Sequence, residues 1–119
     1  MITEDFVKIE TARLLNKKGF NGEYHRAYFN GTVVDHTMFG SCIGGEFIPA
    51  PTLGMAMKWL REVHHWHIEI DRGDYGYFIH VTSSTNCADD YIRIEGGADM
   101  RYDEACDAGI MYCLEELIP

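Results

Sequence analysis

The stretch AYFNGTVVD, residues 27–35, constrains this chain more than any other, because Asn-Gly stands between two β-rich runs. A two-residue type I′ turn needs positive φ at both central positions, and Asn-Gly is the pair that adopts it most readily. A hairpin closing on Asn30 and Gly31 fixes its own register. Phe29 faces Thr32, Ala27 faces Val34 and His25 faces His36 on one side, with Tyr28 facing Val33 and Arg26 facing Asp35 on the other. The register predicts a cross-strand Arg26–Asp35 ion pair and brings His25 and His36 together as two candidate metal ligands, short of the three or four a site needs. Asn30-Gly31-Thr32 also spells a glycosylation acceptor, but with no secretory signal the turn is the expected role.

A second hairpin is predicted in HIEIDRGDYGYFIHVTS, which alternates strictly. Ile68 and Ile70 share one face against His67, Glu69 and Asp71, and Ile79 and Val81 oppose Phe78, His80 and Thr82, with the turn around Gly73 and Gly76. Arg72-Gly73-Asp74 is read as ordinary turn chemistry rather than an adhesion tripeptide. DYIRIE supplies a fifth short strand.

Three helices flank these strands. ITEDFVKIETARLLNKKGF predicts a first helix over about residues 4–18, with Thr3 as N-cap and Lys17, Lys18 and Gly19 at its end. After GSCIGGEFIPAPT, read as a connector loop, Pro51-Thr52 introduces a second helix whose apolar stripe is Leu53, Ala56, Met57, Leu60, Val63 and His64, with Trp59 as a bordering anchor. The third helix buries Cys106, Gly109, Ile110, Cys113 and Leu117; Asp103 and Glu104 favour its start, while Glu115 and Glu116 oppose the dipole at its end, a penalty that a basic neighbour relieves. At 119 residues the chain is expected to be a single α+β domain of order α-β-β-α-β-β-(β)-α, an antiparallel sheet of two hairpins packed by helices.

REVHHWHIEI places three histidines in four positions at the joint between helix and strand. His64 falls on the apolar stripe, His65 is turned about 100° from it, and His67 belongs to the strand. His65 and His67 are weak metal candidates beside His25 and His36, since only that pair has the i, i+2 spacing that chelation on a strand prefers. The dominant expectation is a structural joint, in which a histidine meets the last carbonyls of the helix.

Charge divides the chain. Residues 1–66 carry 7 acids and 7 bases, and residues 67–119 carry 12 acids and 3 bases, so the whole net charge of −9 arises in the second part. That imbalance opposes approach to phosphate backbones and excludes direct nucleic-acid binding from the expectations. An acidic surface that meets a basic partner, or imitates nucleic acid, is the sharper consequence, with Asp71, Asp74, Asp89, Asp90, Asp99 and Asp103 as the acids to be gathered on one face; Asp89, Asp90 and Asp99 lack calcium-loop spacing. The four cysteines contain no C-x-x-C pair; Cys106 and Cys113, roughly 10 Å apart along a helix, are read as core residues, and a Cys42–Cys87 bridge is the minority reading. MITEDFVKIE has neither a basic n-region nor a long apolar run, so a cytoplasmic, non-membrane location is expected.

No nucleophile elbow, metal-binding helix motif or phosphate loop is present, so no catalytic residue and no cofactor is assigned. ETARLLNKKGF, APTLGMAMKWLREVHHWHIEI and YDEACDAGIMYCLEELI resemble small uncharacterised proteins encoded in genomes and prophage regions of gut Bacteroidetes. The shared features are helix caps and core stripes, so the resemblance implies a fold and carries no catalytic or binding residues. The leading expectation is a non-catalytic protein-interaction or assembly module with a protein partner, anchored by Tyr24, Tyr28, Tyr75, Tyr77 and Tyr91, in which an uncovered sheet face is buried in a homodimer. A His-dependent metal enzyme is the least favoured alternative.

Overall fold

A computed structural model describes residues 5–73, 76–83, 92–95 and 100–118, the segment 92–95 by its backbone. It is an α+β fold with small antiparallel sheets packed against helices. The elements run α1 (Ile9–Lys17), β1 (Arg26–Phe29), β2 (Thr32–Asp35), a 3-10 segment (His36–Ser41), β3 (Phe47–Ala50), α2 (Leu53–Val63), β4 (Trp66–Gly73), β5 (Gly76–Ser83), β6 (Ile92–Glu95) and α3 (Tyr102–Tyr112), which continues into a π-helical turn (Cys113–Leu117). The strands form two three-stranded sheets, β2-β1-β3 and β4-β5-β6.

The Asn-Gly hairpin forms in the register its turn dictates: Arg26 opposite Asp35, Ala27 opposite Val34, Tyr28 opposite Val33 and Phe29 opposite Thr32. Asn30 and Gly31 take φ of 52° and 83°, the two positive values of a type I′ turn. The second hairpin pairs Gly73 with Gly76 and Ile68 with Val81, and β6 adds to it through β5.

Three expectations are corrected. The segment read as a connector contains β3, which pairs with β1 and places Pro49 opposite Ala27. The tolerance has a physical reason: β3 is the outer strand, where a missing N–H breaks no ladder. There are consequently two sheets and a strand before α2, rather than one sheet of two hairpins. The first helix begins at Ile9 and not near residue 4, because Phe6 and Val7 are extended alongside β3: Phe6 bridges Thr52, and the Val7 N–H donates to the Pro51 carbonyl at 3.1 Å. The Thr3 cap lies outside the described residues. Finally, Leu117 is only half-buried while Leu114 is fully buried. A π-helical turn advances fewer degrees per residue than an α-helix, so the buried stripe slips at Cys113.

One contiguous core joins the layers, drawing Val7, Ala12 and Leu15 from the N-terminal part, Ile48 from β3, Leu60 from α2, Ile68, Ile79 and Val81 from the second sheet, and Ile110 and Leu114 from α3 and its extension. At Gly109 α3 lies close against the sheet: a Cβ there would stand 3.0 Å from the methyl groups of Ile68 and Ile79. Asp107 is buried beside it on α3 and accepts from the Lys8 N–H at 3.1 Å and the Thr11 hydroxyl at 2.6 Å. Lys8 is the N-cap of α1 and has no capping side chain of its own. A carboxylate from the last helix therefore caps the first, where the dipole favours negative charge. The return tie is equally direct: Lys18, at the end of α1, donates to the Ile118 carbonyl at 3.0 Å, the basic neighbour required beyond Glu115 and Glu116. No helix of the described residues is long and apolar enough to cross a membrane.

Candidate functional site

The backbone of the histidine joint decides its chemistry. Thr52 caps α2 by accepting from the Met55 N–H at 3.1 Å, and the helix ends with the His64 N–H on the Leu60 carbonyl. His65 then takes φ of 62°, the left-handed conformation usual just past a helix end, in the place where glycine is commonest. This reversal separates the three rings. His64 packs edge-on against Trp59 with centroids 4.7 Å apart, its Nε2 is buried without a partner, and burial, with His65 beside it, pushes its pKa below the ordinary 6.5. His65 is exposed, and His67 sits on β4 with its Nε2 3.3 Å from Glu69. His25 lies 3.3 Å from Glu23, and its ring meets that of His36 edge-on at 6.2 Å, as the hairpin register requires. Among the described residues, no group of three or more His, Cys, Asp or Glu side chains is arranged to hold a metal ion.

Arg26 does not close on Asp35. Its guanidinium lies 4.2 Å above the Phe6 ring, drawn there by the cation–π attraction that the extended N-terminal segment makes available. Asp35 turns instead to its own chain, accepting from the N–H and hydroxyl of Thr37; those bonds hold its pKa below the usual carboxylate value.

The described tyrosine anchors, Tyr24, Tyr28 and Tyr77, are engaged within the fold. Tyr24 stacks with Phe39 and Phe47, and these rings lie over the face of the first sheet that carries buried Ala27 and Val34. Tyr28 lies on the opposite face and donates to the Val7 carbonyl at 2.8 Å, while Tyr77 packs edge-on against Tyr102. Both faces of the first sheet thus have covers, α1 with residues 6–7 on one and the 3-10 segment on the other. Tyr75, Tyr91, Asp74, Asp89, Asp90 and Asp99 lie outside the described residues, as does Cys87. Cys42 is free, and burial raises the thiol pKa of Cys106 and pushes that of Cys113 up to about 12, which suits core residues rather than nucleophiles.

The second sheet differs. Its inner face, with Ile68, Ile79 and Val81, packs on α2 and α3, and no described helix lies on its outer face. Alternation and register put His67, Glu69 and Asp71 of β4 and Phe78, His80 and Thr82 of β5 on that outer face. Glu69 stands opposite His80, and Arg93 of β6 follows at the next register position. His80 reaches diagonally to Asp71 at 3.0 Å, and both carboxylates remain 64% exposed. The Phe78 ring lies over Gly73, where a Cβ would overlap it. The result is a face carrying acids on one strand and imidazoles alongside. Of the acidic set, Asp71 is here and Asp103 is not; Asp103 belongs to α3, behind the sheet, 3.3 Å from Arg101. Glu69 and His80 had a sequence signal that went unused: once Gly73 pairs with Gly76, counting outward makes them opposite.

A cavity of about 280 Å³ opens between the first turns of α2 and α3, lined by Asp5, Thr52, Leu53, Gly54, Met57, Tyr102 and Cys106. It places no base beside a nucleophile, since the one thiol in it is held protonated by burial. Comparison of the chain with family models, curated proteins and solved structures finds no match.

Proposed function

We propose that the chain is a non-catalytic protein-interaction module that docks a basic partner on the outer face of the second sheet. The observation that carries this reading is the combination on that face: exposed Glu69 and Asp71, each beside a histidine, on an antiparallel sheet whose other face packs on the core through Ile68, Ile79 and Val81. Antiparallel sheets keep one face for solvent or a partner, and the two carboxylates favour arginine or lysine side chains arriving from outside. Both carboxylates are 64% exposed, so their contacts with the histidines are weakened by solvent and leave room for an arriving guanidinium. The concentration of acids in residues 67–119 supports the same polarity for the partner.

The test is a pulldown from lysate of the native host at low and high salt, comparing the wild type with the double charge reversal Glu69→Lys/Asp71→Lys. A basic protein retained by the wild type at low salt, released by salt and lost in the double variant supports the proposal. Retention of the same protein by the double variant, or a partner insensitive to salt, overturns it.

A further inference from the structure

The β2 edge of the first sheet lies on a different surface from the acidic face. Parity in β1 is set by the Asn30 N–H, which donates to the Glu46 carbonyl at 2.9 Å on the β3 side. In an antiparallel ladder the bonding direction alternates, so Tyr28 also bonds toward β3 while Ala27 and Phe29 bond toward β2, through Val34 and Thr32. The backbone N–H and carbonyl of Val33 therefore point away from the sheet, from a strand that is terminal in the order β2-β1-β3.

The opposite edge is closed in two ways. Pro49 faces outward and has no N–H, and its carbonyl accepts from the Asn16 side chain at 3.0 Å. Val7, just beyond, is bonded to Pro51. Edges are ordinarily protected in this manner, or by lysine, proline or a bulge. Among the described residues none of these devices is present at β2: Thr32, Val33 and Val34 are three consecutive β-branched residues, and Val33 is 53% exposed. Of the five large apolar side chains exposed among the described residues, three (Val33, Met38 and Ile43) lie within residues 33–43.

We infer that β2 pairs antiparallel with β2 of a second copy of this chain, about a two-fold axis at Val33. The occupant follows from self-complementarity. Val33 meets its own image and exchanges both backbone bonds with it, and the register rows Ile48–Tyr28–Val33 of the two copies join into one apolar row across a six-stranded sheet. Thr32 comes opposite Val34, and Asp35 comes opposite Gly31, so no like charges face each other, although each copy carries a net −9. The Asp35 carboxylate is already turned onto Thr37. The contact is small, so the dimer forms reversibly with concentration.

Sedimentation equilibrium of the full chain from dilute to high concentration tests this, with Val33→Lys as the edge-blocking variant and Val63→Lys, on an exposed position of α2, as the charge-matched control. A monomer–dimer equilibrium in the wild type and control, weakened tenfold or more in Val33→Lys with unchanged circular dichroism, is expected. Hydrogen exchange of the Val33 amide in the wild type gives an independent reading: its protection rises with protein concentration. A monomer at every concentration, a dimer that Val33→Lys leaves intact, or Val33 protection independent of concentration overturns the inference.

Discussion

Removing the Asp107 carboxylate should uncouple the two ends of the chain. Asp107→Ala takes away the cap of α1 and leaves the Lys8 N–H and the Thr11 hydroxyl without their acceptor. Loss of an N-cap costs about 1 kcal/mol, and a buried donor left unsatisfied about 1–3 kcal/mol. Thr11 is 1% exposed and Asp107 6%, so water replaces neither bond fully, and the expected loss is about 3 kcal/mol. At about 4 °C per kcal/mol for a chain of this length, Tm falls by about 12 °C. Asp107→Asn keeps the shape: its amide oxygen accepts from Lys8 and its NH2 donates to the Thr11 oxygen, so only the charge facing the helix dipole is lost, at about 1 kcal/mol. Thr11→Val closes a double-mutant cycle. Urea denaturation of the four proteins should give a Thr11–Asp107 coupling of about 1–2 kcal/mol. An Asp107→Ala loss below about 1 kcal/mol, or strictly additive single variants, refutes the reasoning.

His65→Gly should stabilise the fold by about 1 kcal/mol, because the left-handed conformation at φ 62° costs a side chain what glycine avoids; thermal denaturation reads it. Burial depresses the His64 pKa from 6.5, so the unfolded chain binds the proton first as pH falls; stability is full above about pH 6.5 and declines below it, and His64→Phe, which keeps the ring on Trp59, should show a shallower decline in urea titrations at a series of pH values. Gly109→Val should cost about 2 kcal/mol or more in the same assay, since its methyl groups enter space already held by Ile68 and Ile79.

Local chemistry was the part of the fold most legible in the sequence. A two-residue turn leaves no freedom of register, which is why the pairs from Phe29–Thr32 to Arg26–Asp35 follow from Asn-Gly alone. Thr52 and the stripe from Leu53 to Leu60 were legible for the same reason: cap and period act within a few residues. What depends on distant partners was not. Phe6 and Val7 continue a good helical pattern, yet the edge beside Pro51 offers their backbone bonds that compete with the helix. β3 hides behind Pro49, whose strand role needs an outer edge that no local rule reveals. The slip from Leu117 to Leu114 follows a widening of the helix that the period itself cannot encode.

The same division governs the site. Alternation alone assigns His67, Glu69 and Asp71 to one face of β4, but whether that face looks into the core or outward depends on where α2 and α3 pack. Ile68 and Ile79 settle it by closing on Gly109, and the acids are left outside as a consequence of how tightly the inner face is packed. The tyrosines show the converse. Aromatic residues suit an interface and a core for one reason, large area with a polar tip, so composition alone could not separate the two roles. Tyr28 spends its hydroxyl on the Val7 carbonyl and is thereby assigned to the core, whereas Asp71, beside the His80 imidazole, keeps its carboxylate 64% exposed. On the docking reading proposed above, partner retention should therefore follow charge placed on β4 more closely than the aromatic content of the chain.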